Sequence, residues 1–125
     1  MENQLTLIVA AKWQQFMNSK NLEEMLKLTH EEIEFAHLNE CGYGHKELAD
    51  WILRTGLTLT TLKSYVNEDK LLLRHLAIWK DEDRCVLKEE SFYTYIKIRS
   101  GKIIYIARIE NQHDAEVISG ISLTT

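Results

Sequence analysis

Residues 57–110 read LTLTTLKSYVNEDKLLLRHLAIWKDEDRCVLKEESFYTYIKIRSGKIIYIARIE. Long segments rich in β-branched and aromatic residues alternate there with short polar ones at residues 66–70, 80–84 and 99–101. Apolar segments bounded by polar turns are typical of β-strands joined by hairpins. The stretch therefore predicts an antiparallel meander of strands at roughly residues 57–66, 70–80, 85–98 and 102–110.

The residues before this meander are patterned as helices. Apolar residues at helical spacing predict a first amphipathic helix, and its stripe consists of Leu5, Ile8, Val9, Trp13, Phe16 and Met17. Asn21 is placed to cap a second helix, with Glu24 three residues later as a capping box prefers. Leu48, Trp51, Ile52 and Thr55 define a third helix, which Gly56 ends.

The remaining segments complete the predicted fold. Glu32–Phe35 alternates with period two and predicts a strand, whereas Cys41–Gly44 reads as a loop or a short strand. A short final helix is expected from about Gln112 to Ser119. Helices that precede an antiparallel meander indicate an α+β fold with the helices on one face of the sheet. The 125 residues fit a single domain spanning 1–125.

Composition and charge exclude several classes of function. The formal net charge is −4 with both signs interspersed, so no basic surface for nucleic acid is predicted. No apolar run approaches the roughly 20 residues that cross a bilayer, and the first four residues lack a signal-peptide pattern. Cys41 and Cys85 are interpreted as reduced thiols of a cytoplasmic protein. No membrane partner and no cofactor are predicted.

The spacing of His37, Cys41 and His45 raises the question of a metal site or a cysteine nucleophile. On a helix these residues would share one face, but Gly42 and Gly44 argue against a helix there. Zinc also needs further ligands, and nothing indicates a depressed thiol pKa. The prediction is no metal site.

Four segments carry a resemblance to a known superfamily: residues 12–28, 31–35, 44–51 and 101–110. They resemble the opening helices, first strand, third helix and closing strand of the nuclear-transport-factor-two-like superfamily, most closely its ketosteroid isomerase and polyketide cyclase (SnoaL-like) branch. The resemblance implies a cone-shaped, strongly bent, mostly antiparallel sheet wrapped around the N-terminal helices. That fold hosts isomerases, cyclases, hydrolases, dehydratases and non-catalytic binders, so it does not specify a function.

The resemblance also locates three positions of the isomerase site. The general-base Asp of that branch falls on His37, its Tyr on Trp13 and its second Asp on Thr94. Trp13 donates only through its indole N–H, and Thr94 is a neutral hydroxyl. Steroid isomerisation is therefore disfavoured. His37 remains a candidate acid–base residue because an imidazole titrates near neutral pH.

The facing of the last two strands depends on the turn at Arg99–Gly101. A three-residue turn ending in Gly sets Thr94 opposite Ile106 and points both into the cone, whereas a two-residue turn would reverse the closing strand. With the first register, the expected pocket residues are Trp13, Phe16, Trp51, Phe92, Thr94, Ile106, Arg108 and Glu110. The face on which His75 and Trp79 lie is not settled by the pattern.

Charge and hydrophobicity add two expectations. Arg108 is expected to pair with Glu90 or Glu110 at the open end of the cavity, either as a structural ion pair or as a carboxylate clamp. The outer sheet face is too apolar for solvent, and it carries Tyr93, Tyr95, Tyr105 and Ile109. A covered outer face predicts a homodimer through the sheet.

Three functions follow in order of preference. The first is a binding protein for a small apolar or amphiphilic ligand. The second is a cofactor-independent isomerase, cyclase or dehydratase that uses His37 as acid–base and Arg108 to bind an anionic oxygen. The third is a dimeric interaction module whose cone is filled by its own side chains.

Overall fold

A computed structural model describes residues 2–37, 40–54, 57–67, 69–80 and 83–123, although not every side chain within them. Its helices are α1 (Glu2–Ser19), α2 (Leu22–Leu28), α3 (Gly44–Arg54) and α4 (Gln112–Ser119). Its strands are β1 (Thr29–His37), β2 (Glu40–Tyr43), β3 (Leu57–Asn67), β4 (Lys70–Lys80), β5 (Val86–Arg99) and β6 (Lys102–Ile109).

The meander predicted from the sequence is confirmed, with each of its strands within about one residue of the expected bounds. In the described residues the strand order is β2-β1-β6-β5-β4-β3, with β1 parallel to β6 and all other pairs antiparallel. β1 is longer than the four residues predicted, and Cys41 lies in the short strand β2 rather than in a loop. The expected helix end at Gly56 lies outside the described residues.

Local sequence signals explain where the short helices begin and end. Asn21 Oδ1 accepts a hydrogen bond from the Glu24 N–H at 3.3 Å, so the predicted cap of α2 is confirmed. Asn111 Oδ1 caps α4 in the same way, 2.8 Å from the N–H of Asp114. Gly120 ends α4 in the left-handed conformation, with φ at 72°.

The buried stripe of α1 differs slightly from the predicted one. Val9, Trp13 and Met17 are buried as expected, but the inclusion of Ile8 was wrong, because half of its surface is exposed. Thr6 is buried, so the inward face runs one helical step away from Ile8. Helical residues three and four apart share a face, and this is the spacing from Thr6 to Val9, Trp13 and Met17.

Strand irregularities bend the sheet into the expected cone. An extra residue shifts the register at Leu62 on β3, at Leu87 on β5 and at Ile104 on β6. An extra residue on one strand of a pair kinks that strand and increases its twist. Three such shifts on adjacent strand pairs curl the sheet around α1 and α3, so the predicted cone-shaped α+β architecture is confirmed.

The curled sheet buries residues on both faces. The concave face packs against α1, α2 and α3 and contains Ile33, Phe35, Leu71, Leu73, Ala77, Phe92, Ile96 and Ile106. The convex face carries a second cluster formed by Leu72, Tyr93, Tyr95, Ala107, Ile109 and Ala115. Ala115 belongs to α4, and the following residues Ile121 and Leu123 pack there too. The chain therefore covers this outer face itself, at least in part, with its own C-terminal segment, and the homodimer stays a prediction.

The hairpin between β5 and β6 corrects the predicted register. Its turn has two residues, Ser100 and Gly101, with φ of 52° and 78°, as a type I′ turn requires. The expected three-residue turn and the pairing of Thr94 with Ile106 were therefore wrong. Ile104 is an extra residue on β6, and beyond it Thr94 pairs with Arg108. The bulge restores the strand's facing, which the two-residue turn alone would have reversed.

Two side chains of α1 hydrogen-bond to the edge strand β3. Asn18 Nδ2 donates to the carbonyl of Leu59 at 2.8 Å, and Asn18 Oδ1 accepts from the Leu59 N–H at 2.7 Å. Gln14, one turn earlier, hydrogen-bonds Thr61. An edge strand exposes unpaired backbone groups, and the Asn18 amide satisfies two of them.

Candidate functional site

The concave face and α1 enclose a cavity with an almost wholly apolar wall. It is lined by Trp13, Met17, Phe35, Ala36, Trp51, Leu59, Phe92, Thr94, Ile106 and Arg108. The space between atoms is about 430 Å³ when its open mouth is included, but the centre of a water molecule can occupy only about 30 Å³. Since one water needs roughly 10–15 Å³ by that measure, the unoccupied part holds about two.

Most residues expected at the pocket lie at its wall. Trp13, Trp51, Phe92, Thr94, Ile106 and Arg108 line the cavity. Phe16 does not line it and packs, half-buried, against the core. Glu110 does not line it either, with 50% of its side chain exposed. The side chain of His37, the candidate acid–base residue, lies outside the described residues.

Sequence reasoning missed part of the wall. Met17 and Phe35 belong to apolar segments that the pattern assigned to α1 and β1, but nothing marked them as pocket residues rather than core. Ala36 and Leu59 carry no local signal. The sequence also did not indicate that Gly42 makes room for Phe35. Gly42 lies directly against the Phe35 ring, and a Cβ at this position would overlap that ring.

Arg108 joins two carboxylates at the edge of the cavity. Its Nη2 donates to Glu90 Oε2 at 2.5 Å and its Nε donates to Glu110 Oε1 at 2.6 Å. The guanidinium carbon lies 4.1 Å from the centre of the Phe92 ring, and only 6% of the side chain is exposed. Hydrogen bonds from Lys88 and then from Arg108 hold the pKa of Glu90 below its usual range. The charge pair expected from the sequence is present with both carboxylates.

A buried histidine lies behind the cavity wall. His75 faces the concave side with no exposed surface, and its Nδ1 lies 2.8 Å from Thr94 Oγ1. Burial lowers the pKa of His75 to about 4, so the ring is neutral at physiological pH. Its Nε2 is buried without a hydrogen-bond partner in the described structure.

Trp13 contributes a second unsatisfied polar atom. The residue lines the cavity and is 1% exposed. Its indole N–H has no partner among the described residues. A buried N–H without a partner is uncommon and costly in folded proteins, so this group needs an acceptor.

His45, the second histidine of the His37-Cys41-His45 spacing, lies within hydrogen-bond distance of Thr29. His45 Nε2 lies 3.0 Å from the hydroxyl and 3.1 Å from the carbonyl oxygen of Thr29. Across residues 2–37, 40–54, 57–67, 69–80 and 83–123, no cluster of three or more metal-ligating side chains is present. Over the same ranges, no helix has the length and hydrophobicity needed to span a membrane. The cytoplasmic location stays a prediction.

Comparison with known proteins identifies the fold. No family model matches the chain, and no curated protein is significantly similar to it. A nuclear-transport-factor-two-like protein of unknown function from Cytophaga hutchinsonii superposes with a TM-score of 0.74 at 11% identity, over 87% of this chain and 92% of its own. The chain has the nuclear-transport-factor-two-like fold.

Other solved structures with this fold have functional names. A proposed ketosteroid isomerase from Kribbella flavida superposes with a TM-score of 0.77 at 12% identity, over 90% of this chain and 82% of its own. A proposed polyketide cyclase from Xanthomonas campestris gives 0.72 at 12%, over 91% and 96%. Identities this low establish the shared fold alone. The resemblance to the isomerase and cyclase branch is therefore confirmed for architecture.

The wall of the cavity supports binding more readily than proton transfer. The lining residues with polar side-chain groups are Trp13, Trp51, Thr94 and Arg108. None of the residues that line it carries a carboxylate or an imidazole. General acid–base chemistry needs such a group within hydrogen-bond reach of the substrate. Among the candidates from the sequence, that role rests on His37.

Proposed function

We propose that this protein binds a small, neutral and largely apolar molecule in the cone, with an acceptor oxygen of the ligand directed to the Trp13 indole N–H. The supporting observation is Trp13, which lines the cavity and whose buried indole N–H has no partner among the described residues. Ligand sites are mostly apolar with a few placed polar groups, and this wall fits that description. An acceptor at this position would remove the cost of the unsatisfied donor.

The two ion pairs of Arg108 favour a neutral ligand over an anion. Glu90 and Glu110 already accept hydrogen bonds from its guanidinium. A ligand carboxylate would have to displace one of them or crowd a third negative charge beside the pair. The carboxylate-clamp role considered for Arg108 is therefore the weaker alternative.

The cavity must widen to admit even a single-ring ligand. A benzene-sized molecule exceeds the space left for about two waters, so binding requires a wall side chain to move. Trp51 is half-buried and lies on the wall. Side-chain rotamer changes on binding are common even where the backbone stays fixed, and a rotation of Trp51 would widen the cavity without unfolding α3.

Ligand titration followed by NMR tests the proposal. In a ¹H–¹⁵N spectrum the Trp13 indole resonance, assigned with Trp13→Phe, should shift on addition of acetophenone and move less with benzoate. The indole of Trp79, which does not line the cavity, is the internal control. Absence of any Trp13 shift with single-ring probes would contradict the proposal. Native mass spectrometry of protein purified from its own cells would then show whether a natural ligand accompanies it.

A second candidate is an interaction module with a filled cone. The observation that favours it is the small unoccupied volume of about 30 Å³, because side chains of the chain itself fill most of the interior. This candidate predicts no response of Trp13 to any probe and a homodimer in solution. Light scattering coupled to size exclusion measures the second point. An enzymatic role in which His37 is the acid–base residue is a further alternative, and turnover that survives His37→Ala would remove His37 from that role.

A further inference from the structure

A buried hydrogen bond between two side chains links β4 and β5 on the concave face, beside the cavity. His75 on β4 lies directly across from Phe92 of β5, and its Nδ1 contacts the hydroxyl of Thr94, 2.8 Å away. Thr94 lines the cavity and His75 does not. His75 therefore reaches the cavity indirectly, through its hydrogen bond with Thr94 and its ring contact with Phe92.

The position of the single imidazole proton decides the direction of this hydrogen bond. If the proton is on Nε2, a buried N–H donor is left without a partner, and Thr94 spends its own proton on Nδ1. If the proton is on Nδ1, the unsatisfied atom at Nε2 is only a lone pair. Orphaned buried N–H groups are rarer in proteins than under-satisfied acceptors, so the second arrangement is the favoured one.

We propose that His75 is a positioning residue whose Nδ1–H donates to Thr94 Oγ1 and thereby directs the Thr94 hydroxyl proton into the cavity. The polar side chains of the lining residues then all offer donors: the Trp13 and Trp51 indoles, the Thr94 hydroxyl and the Arg108 guanidinium. Such a wall favours a ligand that presents an acceptor oxygen, such as a carbonyl or ether, over one that presents only an N–H donor. The ligand selectivity rests on the proposed binding function, whereas the tautomer of His75 does not.

The tautomer is measured first and without a ligand. Long-range ¹H–¹⁵N correlation on protein labelled at its histidine side chains reports which ring nitrogen carries the proton. His75 should show a neutral ring protonated at Nδ1 at pH 7, and Thr94→Val should change its nitrogen shifts. A proton on Nε2 would overturn the proposal, whatever the protein binds.

The second experiment uses two probes of the same shape. Acetophenone carries a carbonyl, and α-methylstyrene replaces that oxygen with a methylene group. Thr94→Val should weaken acetophenone binding about fivefold, as expected for one lost hydrogen bond, and leave α-methylstyrene unchanged. Thr94→Ser, which keeps the hydroxyl but loses a methyl group from the wall, should keep the ratio of the two affinities that the unaltered protein shows. His75→Leu should weaken acetophenone binding in the same direction as Thr94→Val.

The outcomes separate the two proposals. Thr61→Val is the matched control, since Thr61 lies across from His75 on β3 but hydrogen-bonds Gln14 instead, and it should leave both affinities unchanged. Equal loss of both probes in Thr94→Val would overturn the role of the hydroxyl while leaving binding intact. Failure of both probes to bind the unaltered protein would contradict the proposed function, and the tautomer measurement would still decide the role of His75. If His75→Leu does not fold, the Thr94 variants carry the test.

Discussion

Lowering the pH from 7 to 4 is expected to destabilise the protein through His75. Burial lowers the pKa of this imidazole from 6.5 to about 4 in the folded state, whereas in the unfolded chain it takes up a proton below about pH 6.5. Between these values the unfolded state binds more protons, so the free energy of unfolding falls as the pH falls. The gap between the two pKa values corresponds to about 3 kcal/mol at pH 4. This is a large share of the roughly 5–15 kcal/mol that stabilises a typical domain.

Urea denaturation at pH 7, 6, 5 and 4 measures this contribution. His75→Gln removes the titrating group but keeps an amide that can hydrogen-bond Thr94, so its free energy of unfolding should fall less on acidification, by about 3 kcal/mol at pH 4. Carboxylates such as Glu90 titrate in both proteins and cancel in the difference. His113→Gln, which removes an exposed histidine on α4, should retain the full pH dependence. Parallel curves for the unaltered protein and His75→Gln would refute the buried, neutral state of His75.

Three further substitutions test the packing that shapes the cavity. Gly42→Ala places a methyl group against the Phe35 ring, which must shift. The centre of the Trp51 ring is only 5.7 Å from that of Phe35. The free energy of unfolding should therefore drop by about 1–3 kcal/mol in urea denaturation. Asn18→Ala removes both hydrogen bonds to Leu59 and should cost about 1–3 kcal/mol by the same measurement. Arg108→Lys replaces the planar guanidinium, which binds both Glu90 and Glu110 and stacks on Phe92, with a single ammonium group. The free energy of unfolding should fall by about 1–2 kcal/mol.

Each of these variants has a matched control. For Gly42→Ala, the additional change Phe35→Leu should recover part of the loss, because a smaller side chain leaves room for the methyl group; additive losses would show that the two residues do not clash. Gln15→Ala removes an exposed amide from the same helix as Asn18 and should be nearly neutral. Arg99→Lys alters an exposed arginine of β5, and a loss as large as that of Arg108→Lys would argue against a special role for Arg108.

The sequence predicted the elements of the fold well because the signals are local. Polar turns at residues 66–70, 80–84 and 99–101 separate the strands, and the Asn21 cap comes from a single residue with a strong preference for that position. The curl of the sheet was different. It arises from bulges at positions such as Leu62 and Ile104, and no local pattern distinguishes a bulged residue from its neighbours. Only the resemblance predicted the cone.

The facing of the central strands could not be predicted from hydrophobicity. On β4, Leu71, Leu72 and Leu73 are all buried, because the concave face meets the N-terminal helices and the convex face meets α4. A strand covered on both faces loses its alternation of apolar and polar residues. His75 therefore stood among apolar neighbours without any signal that it points inward. Its hydrogen bond with Thr94 on the neighbouring strand depends on a register that only the three-dimensional structure supplies.

The β5–β6 hairpin shows why two local errors left the pocket residues in place. A two-residue turn reverses the facing of β6 relative to the predicted register, and one bulge at Ile104 reverses it again. The face to which a β6 residue points depends only on whether the turn and the bulge together contain an even or an odd number of residues. The predicted three-residue turn and the observed two-residue turn with one bulged residue give the same total. Ile106 and Arg108 therefore reach the concave wall, although their cross-strand partners were mispredicted. What changes is the pairing: Arg108 now lies beside Thr94 rather than opposite Phe92. That shift sets the backbone positions of Arg108 and Thr94 opposite each other, and the guanidinium extends from there over the Phe92 ring, so the turn and the bulge together determine which polar residues of the two strands lie side by side.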